Sequence, residues 1–283
     1  MNRICFDDLK GKNCVITGGA GILGSEMAKA LASAGVNLAI IDLNPEAASK
    51  LAHEIADAYK VKATGVSANV LNKASLETAR DHISQYLGNV DFLINGAGGN
   101  SPKATTKAEQ IDPSMDIVWE NTFFGLEEEG FKHVFDLNFT GTLLPTMVFG
   151  RQMVERGSGV IINISSMNAL KPLTKIPAYS AAKSAVNNFT EWLAVHFGKT
   201  GVRVNAIAPG FFLTNQNRFL LTNEQTGALT DRGKKIINST PMGKFGNPED
   251  LNGTLLYLLS DLSAFVTGVV IPVDGGFNAF GKV

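Results

Sequence analysis

Two cysteines in 283 residues, Cys5 and Cys14, are too few for a disulfide framework, and Cys14 sits in an apolar run that reads as a buried strand, so a reducing compartment fits. The four histidines are scattered, with no pair at ligand spacing, which leaves no His-based metal site to expect. No segment approaches the roughly 18 uninterrupted apolar residues of a membrane span, and Met1 to Asp8 has no basic stretch leading into an apolar one, so neither a span nor a signal peptide is expected. An excess of one charge sign is missing too. With 25 Lys+Arg against 26 Asp+Glu and a net charge of −1, the chain has no electrostatic footprint for nucleic acid or an anionic membrane. These absences lead to the expectation of a soluble cytoplasmic protein whose partner is a small molecule.

What is present is a full core's worth of apolar residues, 45% of the chain. Short β-branched runs alternate with helix-period segments: strands at Asn13–Thr17, Asn37–Asp42, Ala63–Ser67, Val90–Asn95, Gly159–Ser165, Val202–Ala208 and Val269–Val273, with helices between them, one of them running from about Lys132 to Glu155 and another over Ala178–Gly198. The pattern never changes character along residues 1–283. It predicts a single α/β domain of Rossmann type, a doubly wound, seven-stranded parallel sheet of order 3-2-1-4-5-6-7 with helices on both faces. Two stretches break the rhythm. Residues 108–131 carry seven acids and no Lys or Arg, with Pro113 and Gly125 opposing one continuous helix. They read first as a solvated surface loop, with a partner-binding or lid role as the alternative. Residues 211–241 follow a strand end, are polar and contain Gly227 and Gly233 as hinges, which suits a substrate lid.

Gly19-Ala20-Gly21-Ile22-Leu23-Gly24 fits GxGxxG, follows a strand and opens an amphipathic helix. Glycines there permit a tight turn and close backbone approach, and the helix N-terminus offers unpaired N–H groups to a pyrophosphate. Asp42 closes the second strand, 18 residues beyond Gly24, where its carboxylate can accept from ribose hydroxyls and would repel a 2′-phosphate. No Lys or Arg near it offers to neutralise such a phosphate, so NAD is expected over NADP. An Asx turn with Asn44 and Pro45 is a second role for Asp42, compatible with the first.

Tyr179 and Lys183, four apart on a helix, share one face. With four tyrosines in the chain, such a pair arises by chance in roughly one sequence in four, and Ser166, 13 residues earlier, lowers that to about one in seventy. The serine also falls just after a strand, at the crevice where open α/β sheets bind ligands. Proton exchange with a reacting alcohol needs a group such as the tyrosine phenol, whose ordinary pKa near 10 must fall toward working pH. A neighbouring ammonium lowers it, and the serine hydroxyl can donate to the same substrate oxygen.

These segments, with Asn95-Gly96-Ala97-Gly98, Asn138, Pro209-Gly210 and Val273-Asp274-Gly275-Gly276, resemble the short-chain dehydrogenase/reductase family in its single-domain form along nearly the whole chain. The resemblance implies a catalytic tetrad of Asn138, Ser166, Tyr179 and Lys183, with Asn138 holding a water-linked proton path to Lys183. It implies a cofactor site of Gly18, Gly21, Ile22, Leu23, Asp42, Asn69, Val70, Asn95, Gly96, Ala97, Tyr179, Lys183, Pro209, Gly210, Phe212 and Thr214, the last four around the nicotinamide carboxamide. A homotetramer packed through the helices around 132–155 and 178–198 is also implied. Three positions depart from the family pattern: Ile22 replaces a usual glycine, Asn95-Gly96 replaces an Asn-Asn pair, and Asn69 replaces an aspartate that contacts adenine.

Within the family, Gly98 to Thr106, the acidic insertion and Gly130 to Thr142 are similar to the D-mannonate oxidoreductase (fructuronate reductase) subgroup, which implies NAD-linked interconversion of D-mannonate and D-fructuronate. A sugar acid calls for a polar pocket with a cation. Arg218, Lys171, Lys175 and Lys103 are candidates, and Arg218 in the lid is preferred because arginine grips carboxylates bidentately. Asn100, Asn168 and Ser166 complete the expected substrate contacts. The rival expectations are another reaction of the same fold, gluconate-type or 3-oxoacyl, and a non-catalytic NAD-sensing protein.

Overall fold

The computed structural model describes residues 5–214, 218–223 and 225–281. Seven parallel strands lie in the order β3-β2-β1-β4-β5-β6-β7. They are β1 Asn13–Thr17, β2 Asn37–Asp42, β3 Ala63–Ser67, β4 Phe92–Asn95, β5 Gly159–Ile164, β6 Val202–Pro209 and β7 Val270–Val273. The helices are α1 Ile22–Ser33, α2 Pro45–Tyr59, α3 Lys73–Leu87, α4 Glu128–Phe135, α5 Gly141–Arg156, α6 Pro177–His196, α7 Arg218–Leu221, α8 Asp231–Asn238 and α9 Asn252–Leu259.

Strand periodicity of two divides the apolar side chains between two cores, one on each face of the sheet. Cys14 and Ile16 of β1, Leu38 and Ile40 of β2, and Val160, Ile162 and Ile164 of β5 go to the core built with α1, α2 and α9. Val15, Ala39, Ile41 and Ile161, the residues between them, go to the core built with α3 and α5. Helix α2 shows how local sequence aims a helix at this sheet. Asn44 caps it by accepting from Ala47 N at 3.0 Å, Pro45 opens it, and Ala48, Leu51, Ala52 and Ile55 bury one face. Among the described residues no helix is long and apolar enough to cross a membrane.

The helix expected from about Lys132 to Glu155 is not one helix. It divides into α4, a π-helical turn over Asp136–Thr140, and α5. Pro145, inside α5, has no N–H to give to Gly141 and forces a local rearrangement. Thr142 and Thr146 turn their hydroxyls onto the carbonyls of Asn138 and Thr142 at 3.0 and 2.8 Å. Such turns are frequent at functional sites. In the insertion, the expected break at Pro113 and Gly125 corresponds to two short turns, Trp119–Asn121 and Phe123–Gly125, and no long helix. Of the expected lid, residues 215–217 and 224 lie outside the described residues, as do Met1 to Ile4 of the N-terminal segment.

Candidate functional site

The order of strands reverses between β1 and β4, so the loops after these strands diverge and leave a crevice at their C-terminal ends. A cavity of about 460 Å³ fills it, lined by Gly18, Gly21, Ile22, Leu23, Gly24, Ile41, Asp42, Leu43, Ala68, Val70, Gly96, Ala97, Gly98, Leu137 and Thr214. The glycines are there for space. Gly18 has φ +62°, and a Cβ on it would stand 2.8 Å from the Ala97 backbone, while one on Gly24 would stand 2.4 Å from Gly18 O. Thr17 Oγ1 accepts from the N–H groups of Gly96 and Ala97 at 3.2 and 3.3 Å, which ties the two loops together. This bare backbone cradle at the start of α1 fits a dinucleotide pyrophosphate.

Asp42 accepts from Ala20 N at 3.2 Å and from Asn44 N at 3.1 Å, so the Asx turn and the cofactor-facing position coexist. Among the described residues lining the cavity there is no Lys or Arg. Other expected cofactor residues stand apart from it. Asn69 is exposed, spends its Oδ1 on Leu71 N at 2.9 Å, and leaves the lining to Ala68 and Val70. Asn95 is buried beneath the cavity, where Nδ2 donates to Thr146 and Asn163. Pro209 ends β6, Gly210 N bonds to Val273 O at 2.9 Å, and Phe212 packs on Gly246 in a neighbouring pocket.

The four residues of the expected tetrad come from three segments: Asn138 from the π-helical turn, Ser166 from just past the end of β5, and Tyr179 and Lys183 from α6. Lys183, on the second turn of α6, is buried, and its Nζ donates to Ile164 O at the end of β5 at 2.7 Å. Burial pushes its ammonium down to about 8. Its Nζ stands 5.7 Å from the centre of the Tyr179 ring. Burial also pushes the half-buried Tyr179 phenol upward, and the hydrogen bond from Ser166 opposes this. Ser166 caps the short turn Met167–Ala169 by accepting from Asn168 N at 3.2 Å. Asn168 is buried beside it, and its Oδ1 has no partner.

Asn138 lies in the π-helical turn, and its carboxamide ties the loop after β4 to α4. Nδ2 donates to Gly99 O and Val134 O at 2.7 and 2.8 Å, and Oδ1 accepts from Gly99 N at 3.2 Å. Gly98 passes between Asn138 and Lys183.

A second cavity of about 590 Å³ is lined by chain neighbours of this group and by none of its four residues. Its lining includes Asn100, next to the Gly99 that Asn138 grips, and Lys175, four residues before Tyr179, together with Arg232 and Lys235 of α8. Of the expected substrate cations, Lys175 lines the cavity and Arg218 does not; Arg218 stands exposed at the start of α7. Lys103 is paired with Glu127 at 3.0 Å, and Lys171 donates to Phe280 O. Sequence reasoning does not single out Arg232 and Lys235, because their place with Lys175 in one cavity lining depends on where the polar segment after β6 comes to rest. Among the described residues no cluster of metal-ligating side chains is present.

The model of the family described as enoyl-(acyl carrier protein) reductase matches residues 19–278. The chain is 51% identical to an uncharacterized oxidoreductase, UxuB, of Bacillus subtilis over 98% of each chain. A solved Haemophilus influenzae protein with bound NAD, provisionally assigned as a D-mannonate oxidoreductase, superposes with a TM-score of 0.90 at 50% identity, covering 97% of this chain and 98% of that one. A gluconate 5-dehydrogenase from Burkholderia cenocepacia, in complex with NADP and tartrate, gives 0.82 at 27% identity, covering 98% and 99%. With the crevice, the Ser166, Tyr179 and Lys183 arrangement and these similarities agreeing, the chain belongs to the short-chain dehydrogenase/reductase family and is a dehydrogenase/reductase.

Proposed function

We propose that this protein is a cytoplasmic, NAD-linked enzyme that interconverts D-mannonate and D-fructuronate. The observation that carries this reading is the second cavity, where Lys175, Arg232 and Lys235 share a lining with Asn100, Thr105, Glu109 and Asp231, a polar set with more cations than acids that suits a hydroxylated anion. The 50% identity to the NAD-bound Haemophilus protein supports the same substrate. The carboxylate of Asp42 and the lack of a cation around it favour NAD, although the Burkholderia neighbour holds NADP.

A nicotinamide dinucleotide bound in the first cavity supplies the hydride acceptor or donor. This chain's residues manage the proton. Tyr179 exchanges a proton with the reacting oxygen, and Ser166 donates a hydrogen bond to that oxygen. The ammonium of Lys183 favours the phenolate electrostatically and offers donors to a ribose. Asn138 holds the loop after β4 in place and supports a water-linked path to Lys183.

The exposed Met147 of α5 and Trp192 and Val195 of α6 favour a homotetramer packed through these helices. A second reading, oxidation of a gluconate-type acid, rests on the Burkholderia neighbour and the same cations.

The test is absorbance at 340 nm with D-fructuronate and NADH, with parallel NADPH and D-gluconate/NAD arms. The expected result is rapid NADH oxidation, weak with NADPH and reduced about 10²–10⁴-fold in Tyr179→Phe, the range for loss of a general acid. Protein that binds NADH yet leaves D-fructuronate untouched removes the mannonate reading.

A further inference from the structure

The insertion reaches the second cavity through one side chain. Glu109 Oε1 and Oε2 stand 3.1 and 3.2 Å from Lys235 Nζ on α8, and Oε1 stands 3.9 Å from Lys175 Nζ. Three segments distant in sequence thus bring two ammonium groups to one carboxylate in the lining of one cavity. The pairing is partly exposed: the side chains of Lys175, Lys235 and Glu109 are 35%, 68% and 47% accessible. An ion pair of this exposure contributes little to stability, so a competing carboxylate can replace Glu109 without a large penalty.

Lys175 has the further mark of a residue held for a purpose. Its φ of +75° is one of two positive values among the described non-glycine residues, and Thr106 N holds its carbonyl at 2.8 Å. Such backbone strain persists where the surroundings impose it and concentrates at ligand sites. It places Lys175 four residues before Tyr179, at the entry to α6. Phe211, T-stacked on Phe277 with centroids 5.5 Å apart, forms part of the apolar wall of the cavity.

We propose that Lys175 and Lys235 form the subsite that reads the carboxylate of a hexonate substrate, and that Glu109 is its internal stand-in, displaced when the substrate enters. The chemistry is an exchange of one carboxylate for another on the same two ammonium donors. With Glu109 in place the cavity lining holds three cations against Glu109 and Asp231; releasing Glu109 widens that positive excess for the incoming acid. The acidic insertion then acts on specificity: it disfavours neutral polyols, which cannot take over its ion pair. This proposal rests on the sugar-acid reading and names the residues that would carry it.

The experiment is calorimetric titration of the NADH-saturated protein with D-mannonate, D-gluconate and neutral D-mannitol, which gives binding without turnover. At least one hexonate should bind about tenfold or more tightly than mannitol, as expected for a charge-assisted contact. Lys175→Met and Lys235→Met should each remove most of that preference while leaving NADH affinity unchanged. Glu109→Gln should move the other way and tighten hexonate binding, because the competitor is gone. No hexonate preference in the wild type, or a preference unaltered in the lysine variants, or weaker hexonate binding in Glu109→Gln, overturns the proposal. Lysine-dependent binding of D-gluconate without D-mannonate keeps the subsite and removes the mannonate reading. Turnover of D-fructuronate with unaltered lysine variants does the reverse.

Discussion

At the residue scale the most consequential group is Lys183, because the position that makes it useful also makes it costly. Its ammonium, ordinarily near 10.5, is held at about 8 by burial. Below pH 8 the folded and unfolded chains both carry the proton, and the whole cost of burying it is present. Between 8 and 10.5 the unfolded chain still binds a proton that the fold has shed, so stability rises with pH. Across that window the gain is about 3 kcal/mol, at roughly 1.4 kcal/mol for each pH unit it spans. Urea unfolding of wild type and Lys183→Met at pH 8 and at pH 10.5 should therefore show the wild type gaining about that much on the variant toward alkaline pH. A pH-independent difference would mean that the ammonium is solvated in the fold. Lys183 and Tyr179 are legible in the sequence because helix geometry fixes which residues four apart share a face. Lys175 is less so, since its approach to the site depends on a left-handed backbone that no spacing rule predicts.

At the scale of elements, the loop after β4 and the π-helical turn before α5 form one unit. Gly98 lies where a Cβ would stand 2.6 Å from Asn138 Oδ1 and 3.3 Å from Lys183 Nζ. Asn138 cannot retreat, because its carboxamide is bonded to Gly99 and Val134. Gly98→Ala should cost about 1–3 kcal/mol of stability, the range for overpacking. It should also lower kcat by about 10²-fold, the effect of a catalytic group misplaced by about an ångström. Paired urea unfolding and steady-state kinetics check both, and an unchanged kcat would detach this loop from catalysis. The break in the helix expected over 132–155 belongs to the same scale. Pro145 is visible in the sequence, but its consequence, a wide turn that buries Asn138, depends on where the displaced carbonyls find partners.

At the scale of the whole molecule, three large apolar side chains of α5 and α6 are left uncovered in the single chain. Val195 is 84% exposed, and Trp192, stacked on His196, and Met147 are each about half exposed. Exposed apolar side chains of this kind are what the proposed tetramer would cover. Val195→Glu should lower the mass measured by light scattering from four chains to one or two, since a buried unpaired charge destabilises an interface strongly. A wild-type monomer would remove the tetramer from the reading.

By itself, the sequence determined the seven strands and their order, the glycine turn that opens α1, and the Ser166, Tyr179 and Lys183 group. Each of these is set by local periodicity, by the steric demands of glycine, or by the fixed geometry of a strand–turn–helix unit. Only the tertiary structure decided which cations line the second cavity. Arg218, the expected carboxylate partner, stands exposed outside it, while Lys235 meets Lys175 and Glu109 across separations of 60 and 126 residues. Contacts between segments so far apart follow from tertiary packing, and neither hydrophobic period nor motif spacing encodes where a long polar loop comes to rest.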